Sequence, residues 1–182
     1  MIVTKYRFTV DDLFAIGEVK MGLPEKRVEL LDGEIYVTAL PGSRQSGHVM
    51  WLTKEFQNAY TERTIVSVRH PLILNDYCLL EPDLALLHLK DNFYADAHPT
   101  AKDVFLTIEV SLSSLAFDKE KKLPAYAEAG VPELWIVDIE QRQTEVYWEP
   151  LGRTYRYRWL ALSEEKVAPR AFPEVGITVF RP

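Results

Sequence analysis

The run Val104-Phe105-Leu106-Thr107-Ile108-Glu109-Val110-Ser111 constrains the fold more than any other stretch. It is apolar and β-branched and contains neither Gly nor Pro, so it reads as a central strand. Its faces divide into Val104, Leu106, Ile108, Val110 and Phe105, Thr107, Glu109, Ser111. A helix ending at Gly130 follows, and then a second strand, Leu134-Trp135-Ile136-Val137. Gly is the favoured residue just past a helix end. The segments on either side of this strand–helix–strand unit are strand-rich. That pattern argues for an α/β (α+β) fold with a mixed sheet, not a sandwich.

Thr9-Val10-Asp11-Asp12 reads as a helix start, with Thr9 as N-cap and two acids in the first turn. From Arg27 to Thr38, two β-rich runs flank Asp32-Gly33, a strong hairpin-turn signal. Pro41-Gly42-Ser43 breaks the chain, and from Ser46 the residues Val49, Leu52, Phe56 and Ala59 recur at helical spacing. Thr64–Val68, Leu72–Leu74 and Pro82–Leu87 read as strands, and Asp91 to Lys102 as a surface loop. A C-terminal β-meander runs through Thr144–Trp148 and Tyr155–Leu160, and a short strand lies near Ile177–Phe180.

At 182 residues, without repeats or linker-like stretches, the chain is read as one domain spanning residues 1–182. Hydrophobic residues make up 47% and charged residues 26%, ordinary for a globular protein. No apolar run approaches the roughly 20 residues that cross a bilayer, and the start Met1–Arg7 lacks a signal-peptide pattern. A single cysteine, Cys78, excludes an intramolecular disulfide and a cysteine-based zinc site. A cytoplasmic protein with no membrane partner is expected. The net charge of -6, from 21 basic and 27 acidic side chains, is awkward for holding a polyanion. Nucleic-acid binding would need a local basic patch, a metal, or a homodimer that pools its arginines.

Chemistry concentrates in four charged residues. An ionised Glu109 inside an aliphatic strand is costly unless it is paired, hydrogen-bonded or bound to metal. It reads equally as an exposed or salt-bridged strand-end glutamate. Asp83, after Pro82, opens an apolar run and also reads as a turn residue. Two acids turned to one face of neighbouring strands would make an oxygen site of the kind magnesium takes, with water and substrate phosphate completing the shell. Such a cation activates water and neutralises charge on the scissile phosphate. On the following helix, about 100° per residue puts Lys122 on a face with Asp118, Ala125, Tyr126 and Ala129, and Lys121 with Glu120 and Glu128. An inward Lys122 could orient a nucleophilic water or stabilise developing charge. The alternative is an exposed Asp118–Lys122 pair of little energetic weight. Pro124 must lie in the first turn or kink the helix.

Several segments together resemble the Uma-two family of restriction endonucleases, within the PD-(D/E)XK nuclease superfamily. They are Arg27–Glu34, Glu81-Pro82-Asp83, Ile108-Glu109-Val110-Ser111, Asp118 to Lys122, and Tyr126 to Asp138. The likeness runs from about Thr9 to Phe180. It implies a restriction-endonuclease-like central mixed β-sheet flanked by helices, with the N-terminal hairpin and C-terminal meander attached. It also implies a metal-dependent endonuclease acting on nucleic acid, DNA in the first instance, with Mg2+ or Mn2+ held by Asp83 and Glu109. The Val110 carbonyl would complete the shell, and Glu29 would be a supporting acid, although by itself it reads equally as a solvated strand residue. The superfamily's lysine two positions after the glutamate is replaced by Ser111, and Lys122 fits a migrated position on the helix. Leu112 stands where relatives often carry Asp. A nuclease fold kept as an inactive binding module is the competing class.

Other candidates are weaker. His48 could approach the site from its helix, although a lone helix histidine is more often structural; His70, His88 and His98 have no metal-ligand spacing. The Gly42–Gly47 segment lacks the lysine of a P-loop. Tyr147, Trp148, Tyr155, Tyr157 and Trp159 interleave with Arg153, Arg156 and Arg158. This reads as a two-faced hairpin, aromatic inside and arginine outside, or a dimer contact, ahead of a base-stacking surface.

Overall fold

The computed structural model describes residues 4–18, 26–60 and 62–181, so Met1 to Val3 of the start read for a signal pattern lie outside the described residues. Helix α1 (Val10–Glu18) opens on a reciprocal cap. Asp12 N–H donates to Thr9 Oγ1 at 3.1 Å, and Thr9 N–H donates to Asp12 Oδ2 at 2.8 Å. Strands β1 (Lys26–Leu31) and β2 (Glu34–Ala39) form the expected hairpin. Asp32 and Gly33 both take positive φ, 54° and 77°, as a type I′ turn demands. Helix α2 (Ser43–Tyr60) begins earlier than the apolar spacing alone suggests, and it buries Val49, Leu52 and Phe56 along that spacing.

Four short strands follow: β3 (Ile65–Ser67), β4 (Leu72–Asn75), β5 (Cys78–Leu80) and β6 (Leu84–Leu87). Then comes β7 (Val104–Ser111), with the bounds read from sequence. Beyond it a helical segment runs through α3 (Leu115–Phe117), a π-helical turn (Asp118–Lys122) and α4 (Leu123–Glu128). Gly130, at φ 81°, ends it, and Val131 N–H returns to the Tyr126 carbonyl in a Schellman closure. Strands β8 (Glu133–Asp138), β9 (Gln143–Leu151), β10 (Thr154–Leu162), β11 (Lys166–Val167) and β12 (Ile177–Thr178) complete the fold. No helix among the described residues is long and apolar enough to cross a membrane.

The central sheet is mixed, with six strands in the order β10-β9-β8-β7-β6-β3. Its one parallel pair is β7–β8, joined by the helical crossover. A second sheet, β2-β1-β5-β4, carries the N-terminal hairpin. One apolar layer packs α2 and the C-terminal residues Phe172 and Ile177 onto Leu106, Ile108, Val110 and Trp135. The other packs α4 and the second sheet onto Ala85, Leu134 and Ile136. A fully buried Leu or Phe contributes about 1.5–3 kcal/mol, so the two layers clamp β7 from both sides. The alternation along β7 is not continuous. A register shift between Leu86 and Leu87 turns Val104 into the second layer while Leu106 faces the first.

The β9–β10 hairpin departs from a clean two-faced reading. Tyr155 is buried, but Tyr157 and Trp159 are 45% and 39% exposed. Glu149 takes a left-handed φ of 61° and donates its N–H to the Pro132 carbonyl, while the β9–β10 register is unchanged on either side of it.

Candidate active site

Strand register creates the site's floor. Leu84 of β6 pairs with Ile108 of β7, antiparallel, so the next pair outward sets Asp83 opposite Glu109. Directly opposed residues point their side chains to the same face. Because β6 stops at Leu84, the Asp83 side chain takes over the ladder there: its Oδ2 accepts Val110 N–H at 3.0 Å. Its Oδ1 receives Arg69 Nε at 3.0 Å and lies 3.6 Å from Arg27 Nη1. Arg27 also holds Glu81 from β1, so the hairpin and the β5–β6 connection are tied at this carboxylate.

Glu29, one strand over in the second sheet, is 2% exposed, which removes the solvated alternative. Its Oε1 accepts Glu81 N–H and the Lys122 ammonium, both at 2.9 Å. Lys122 Nζ also donates to Glu109 Oε1 at 3.2 Å, and Tyr126 Oη donates to the same oxygen at 2.6 Å. No described hydrogen bond uses Glu109 Oε2.

Lys122 faces inward despite Pro124 because of a local device. Leu123 N–H bonds to the Asp118 carbonyl, five residues back. This π turn widens the helix just ahead of Pro124, which has no N–H and whose ring would crowd the carbonyl four residues earlier. Lys122 and Asp118 both remain buried, and Lys121 is exposed. Asp118 is therefore not half of an exposed pair with Lys122. Its Oδ2 accepts the hydroxyls of Ser111 and Ser114, each at 2.7 Å.

Electrostatics follow from burial. Burial pushes the Glu109 carboxyl up to about 8; Lys122 opposes this, and Asp118, Asp83 and Glu29 reinforce it. Burial and the neighbouring acids also raise Asp118, against Lys122 and the two serines. Lys122 moves the other way from an isolated buried lysine: burial favours its neutral form, but Glu109, Glu29 and Asp118 together hold it above its ordinary value. The cluster thus keeps a charged ammonium, and Glu109 is the group that takes up the balancing proton. Glu133 is a contrasting case, raised by burial to about 7 yet tied to Trp135 Nε1 and Arg170 N–H, each at 2.7 Å.

These groups open into a cleft of about 340 Å³, lined by Glu29, Asp83, Glu109, Asp118 and Lys122. Gln45 of α2 closes one side and donates from Nε2 to the Val110 carbonyl at 2.8 Å. The carbonyl suggested as a metal ligand is thus already hydrogen-bonded. Leu112 lines the cleft as an apolar wall. His48 does not reach this cleft; it lines a separate pocket and packs on Phe180. His88 and His98 pack on Phe105 and Phe14. Sequence reasoning did not single out Arg69 or Gln45, which carry no local signal. Tyr126 and Asp118 could have been found, since both share the helical face of Lys122.

The donor set suits a hard divalent cation in one respect and resists it in another. Two opposed carboxylates meet the one or two that magnesium takes, and the negative charge that burial and the neighbouring acids disfavour on Glu109 is what such a cation would compensate. Against this, both Asp83 oxygens have donors, and no group of three His, Cys, Asp or Glu side chains among the described residues is arranged to hold a metal. A cation would therefore draw most of its shell from water and substrate, and it would compete with arginine at Asp83.

The family profile described as "Uma2: Putative restriction endonuclease" matches residues 19–179. A crystal structure described as "a putative nuclease belonging to DUF820", from Anabaena variabilis, has the same fold. It superposes with a TM-score of 0.72 over 94% of this chain and 95% of that chain, at 16% identity. No curated protein matches the sequence.

Proposed function

We propose, from the premise that this chain belongs to the Uma2 restriction-endonuclease family, that it is a divalent-metal-dependent endonuclease hydrolysing DNA phosphodiesters. The observation that carries the reading is the Lys122 ammonium, buried between Glu29 and Glu109 at 2.9 and 3.2 Å in a cleft that also holds Asp83. Burying three ionisable side chains together for stability alone is a poor exchange, because desolvation offsets most of the attraction.

Asp83 and Glu109 would hold Mg2+ or Mn2+, which when bound would polarise the scissile phosphate and lower the pKa of the attacking water. Glu109 can offer Oε2 while Oε1 stays fixed by Lys122 and Tyr126. Because its neighbours keep Lys122 charged, it serves as a hydrogen-bond donor to the water and to the charge developing on the phosphoryl oxygens, not as the base. Glu29 and Tyr126 are positioning residues: the first anchors Lys122 to the second sheet, the second orients Glu109. In the hydrolysis, the attacking water loses a proton to solvent as its oxygen bonds to phosphorus, the P–O bond to the leaving strand breaks, and the leaving oxygen takes a proton from solvent. The setting proposed is the cytoplasm, where two protomers acting together would cut both strands of a duplex.

Incubating purified protein with DNA and with RNA, with magnesium, manganese or a chelator, tests this reading. Metal-dependent cutting of DNA that disappears in Asp83→Ala supports it. Cutting that persists in chelator or in Asp83→Ala overturns it. The inactive-module reading draws on the arginine-bound state of Asp83, and it predicts no heat of manganese binding in calorimetry.

A further inference from the structure

The net charge of -6 leaves open where this chain would grip a polyanion. Most arginines are already committed. Arg27, Arg63, Arg69, Arg153, Arg156 and Arg158 each pair with a carboxylate. Arg7 lies over the Tyr77 ring and Arg170 over Trp148. The remaining three, Arg44, Arg142 and Arg181, have no carboxylate within salt-bridge distance among the described residues. All three line one pocket of about 520 Å³.

Arg44 and Arg142 make long hydrogen bonds there, from Nη2 to the Ile139 and Arg181 carbonyls at 3.4 Å each, and Arg142 also lies over the Phe180 ring at 5.4 Å from its centroid, on the pocket's own lining. His48, Trp51 and Phe180 form the apolar part of the lining. His48 Nε2 and Trp51 Nε1 are buried without hydrogen-bond partners, and unpaired buried polar atoms are uncommon enough to need an explanation. Glu140 also lines the pocket without pairing with any of the three arginines.

The pocket adjoins the cleft across one helix. The first turns of α2 and the residue before it give Gly42 and Gln45 to the cleft, and Arg44, Gly47, His48 and Trp51 to the pocket. The Ile139 wall is bonded to the end of β7, with Ile139 N–H donating to the Ser111 carbonyl at 3.0 Å. A helix is roughly 10 Å across, which is about three nucleotides at about 3.4 Å each along a strand.

We infer that Arg44, Arg142 and Arg181 form a backbone-gripping subsite that binds the phosphates of a nucleic-acid strand about three nucleotides from the cut. The inference rests on the nuclease reading for the identity of the strand, but its test needs no cleavage. The measurement is fluorescence anisotropy of a short fluorescein-labelled single strand in chelator, over a range of salt concentrations. R44A/R142A should weaken binding at low salt by roughly tenfold and lower the slope of log K against log salt by about 1.4, at about 0.7 for each phosphate no longer neutralised. R44K/R142K should keep most of both, which separates loss of charge from loss of fold.

Unchanged affinity and slope in R44A/R142A overturn the inference, as does failure of the wild-type protein to bind the strand at low salt. Wild-type binding with the predicted loss, but no metal-dependent cutting, would leave the subsite standing and remove the nuclease reading.

Discussion

Replacing Glu109 with glutamine keeps the side-chain shape and an oxygen that can accept from both Lys122 Nζ and Tyr126 Oη, while removing a buried negative charge. In the wild type, burial and neighbouring acids lift this carboxyl from the ordinary 4.5 to about 8. A glutamate raised in this way stabilises the fold least when ionised. Stability is undiminished below the unfolded value and falls as pH rises toward the folded value, because the native state holds a proton that the unfolded state has released. At about 1.4 kcal/mol per pH unit, the interval of about 3.5 units sets a ceiling near 5 kcal/mol. Relaxation and water entry around a buried charge bring the expected difference to roughly 2–4 kcal/mol. Glu109→Gln should therefore match the wild type to within about 1 kcal/mol near pH 5 and exceed it by that larger margin above pH 8. Urea unfolding at a series of pH values, extrapolated linearly to water, measures the difference. A pH-independent difference, or a variant less stable than wild type at alkaline pH, would refute the reasoning.

Two further outcomes follow from the same cluster. Lys122→Met should cost about 3–5 kcal/mol, because the buried Glu29 and Glu109 lose their shared ammonium; adding Glu109→Gln should recover part of that loss at alkaline pH, and purely additive costs there would contradict the coupling. Metal binding should release a proton from Glu109, so manganese affinity measured by calorimetry should rise up to roughly tenfold per pH unit below about pH 8 and level off above it. Equal affinity at pH 6 and 8 (about a hundredfold apart in proton activity) would show that Glu109 does not ligate.

The sequence made the frame legible where local and global preferences agree. The apolar run of β7, the Asp32-Gly33 turn with its two positive φ values, and Gly130 past the helix end each have a short-range cause. The short strand near Ile177–Phe180 was legible and is β12, but β5, β11 and the β11–β12 pairing were not read from sequence, because two or three residues give too little periodicity and their pairing is set by distant partners. The site divides in the same way. Glu109 stands out because a charge is costly in an apolar strand, and Lys122 because helical phase separates it from Lys121. The arginines on Asp83 and the Gln45 hydrogen bond to β7 depend on how loops and α2 fold back, which no local spacing encodes. The π turn resolves the tension between Pro124 and an inward Lys122, and it is a tertiary solution that a fixed angle per residue does not anticipate.

The most direct test is nicking of supercoiled plasmid by wild-type protein and by Glu109→Gln and Lys122→Met in parallel, with magnesium and with chelator. The account predicts nicking by the wild type only, dependent on the metal, and none by Glu109→Gln even though it is the more stable protein at alkaline pH. Nicking by Glu109→Gln or Lys122→Met at the wild-type rate, or no nicking by any of the three with magnesium present, would contradict it.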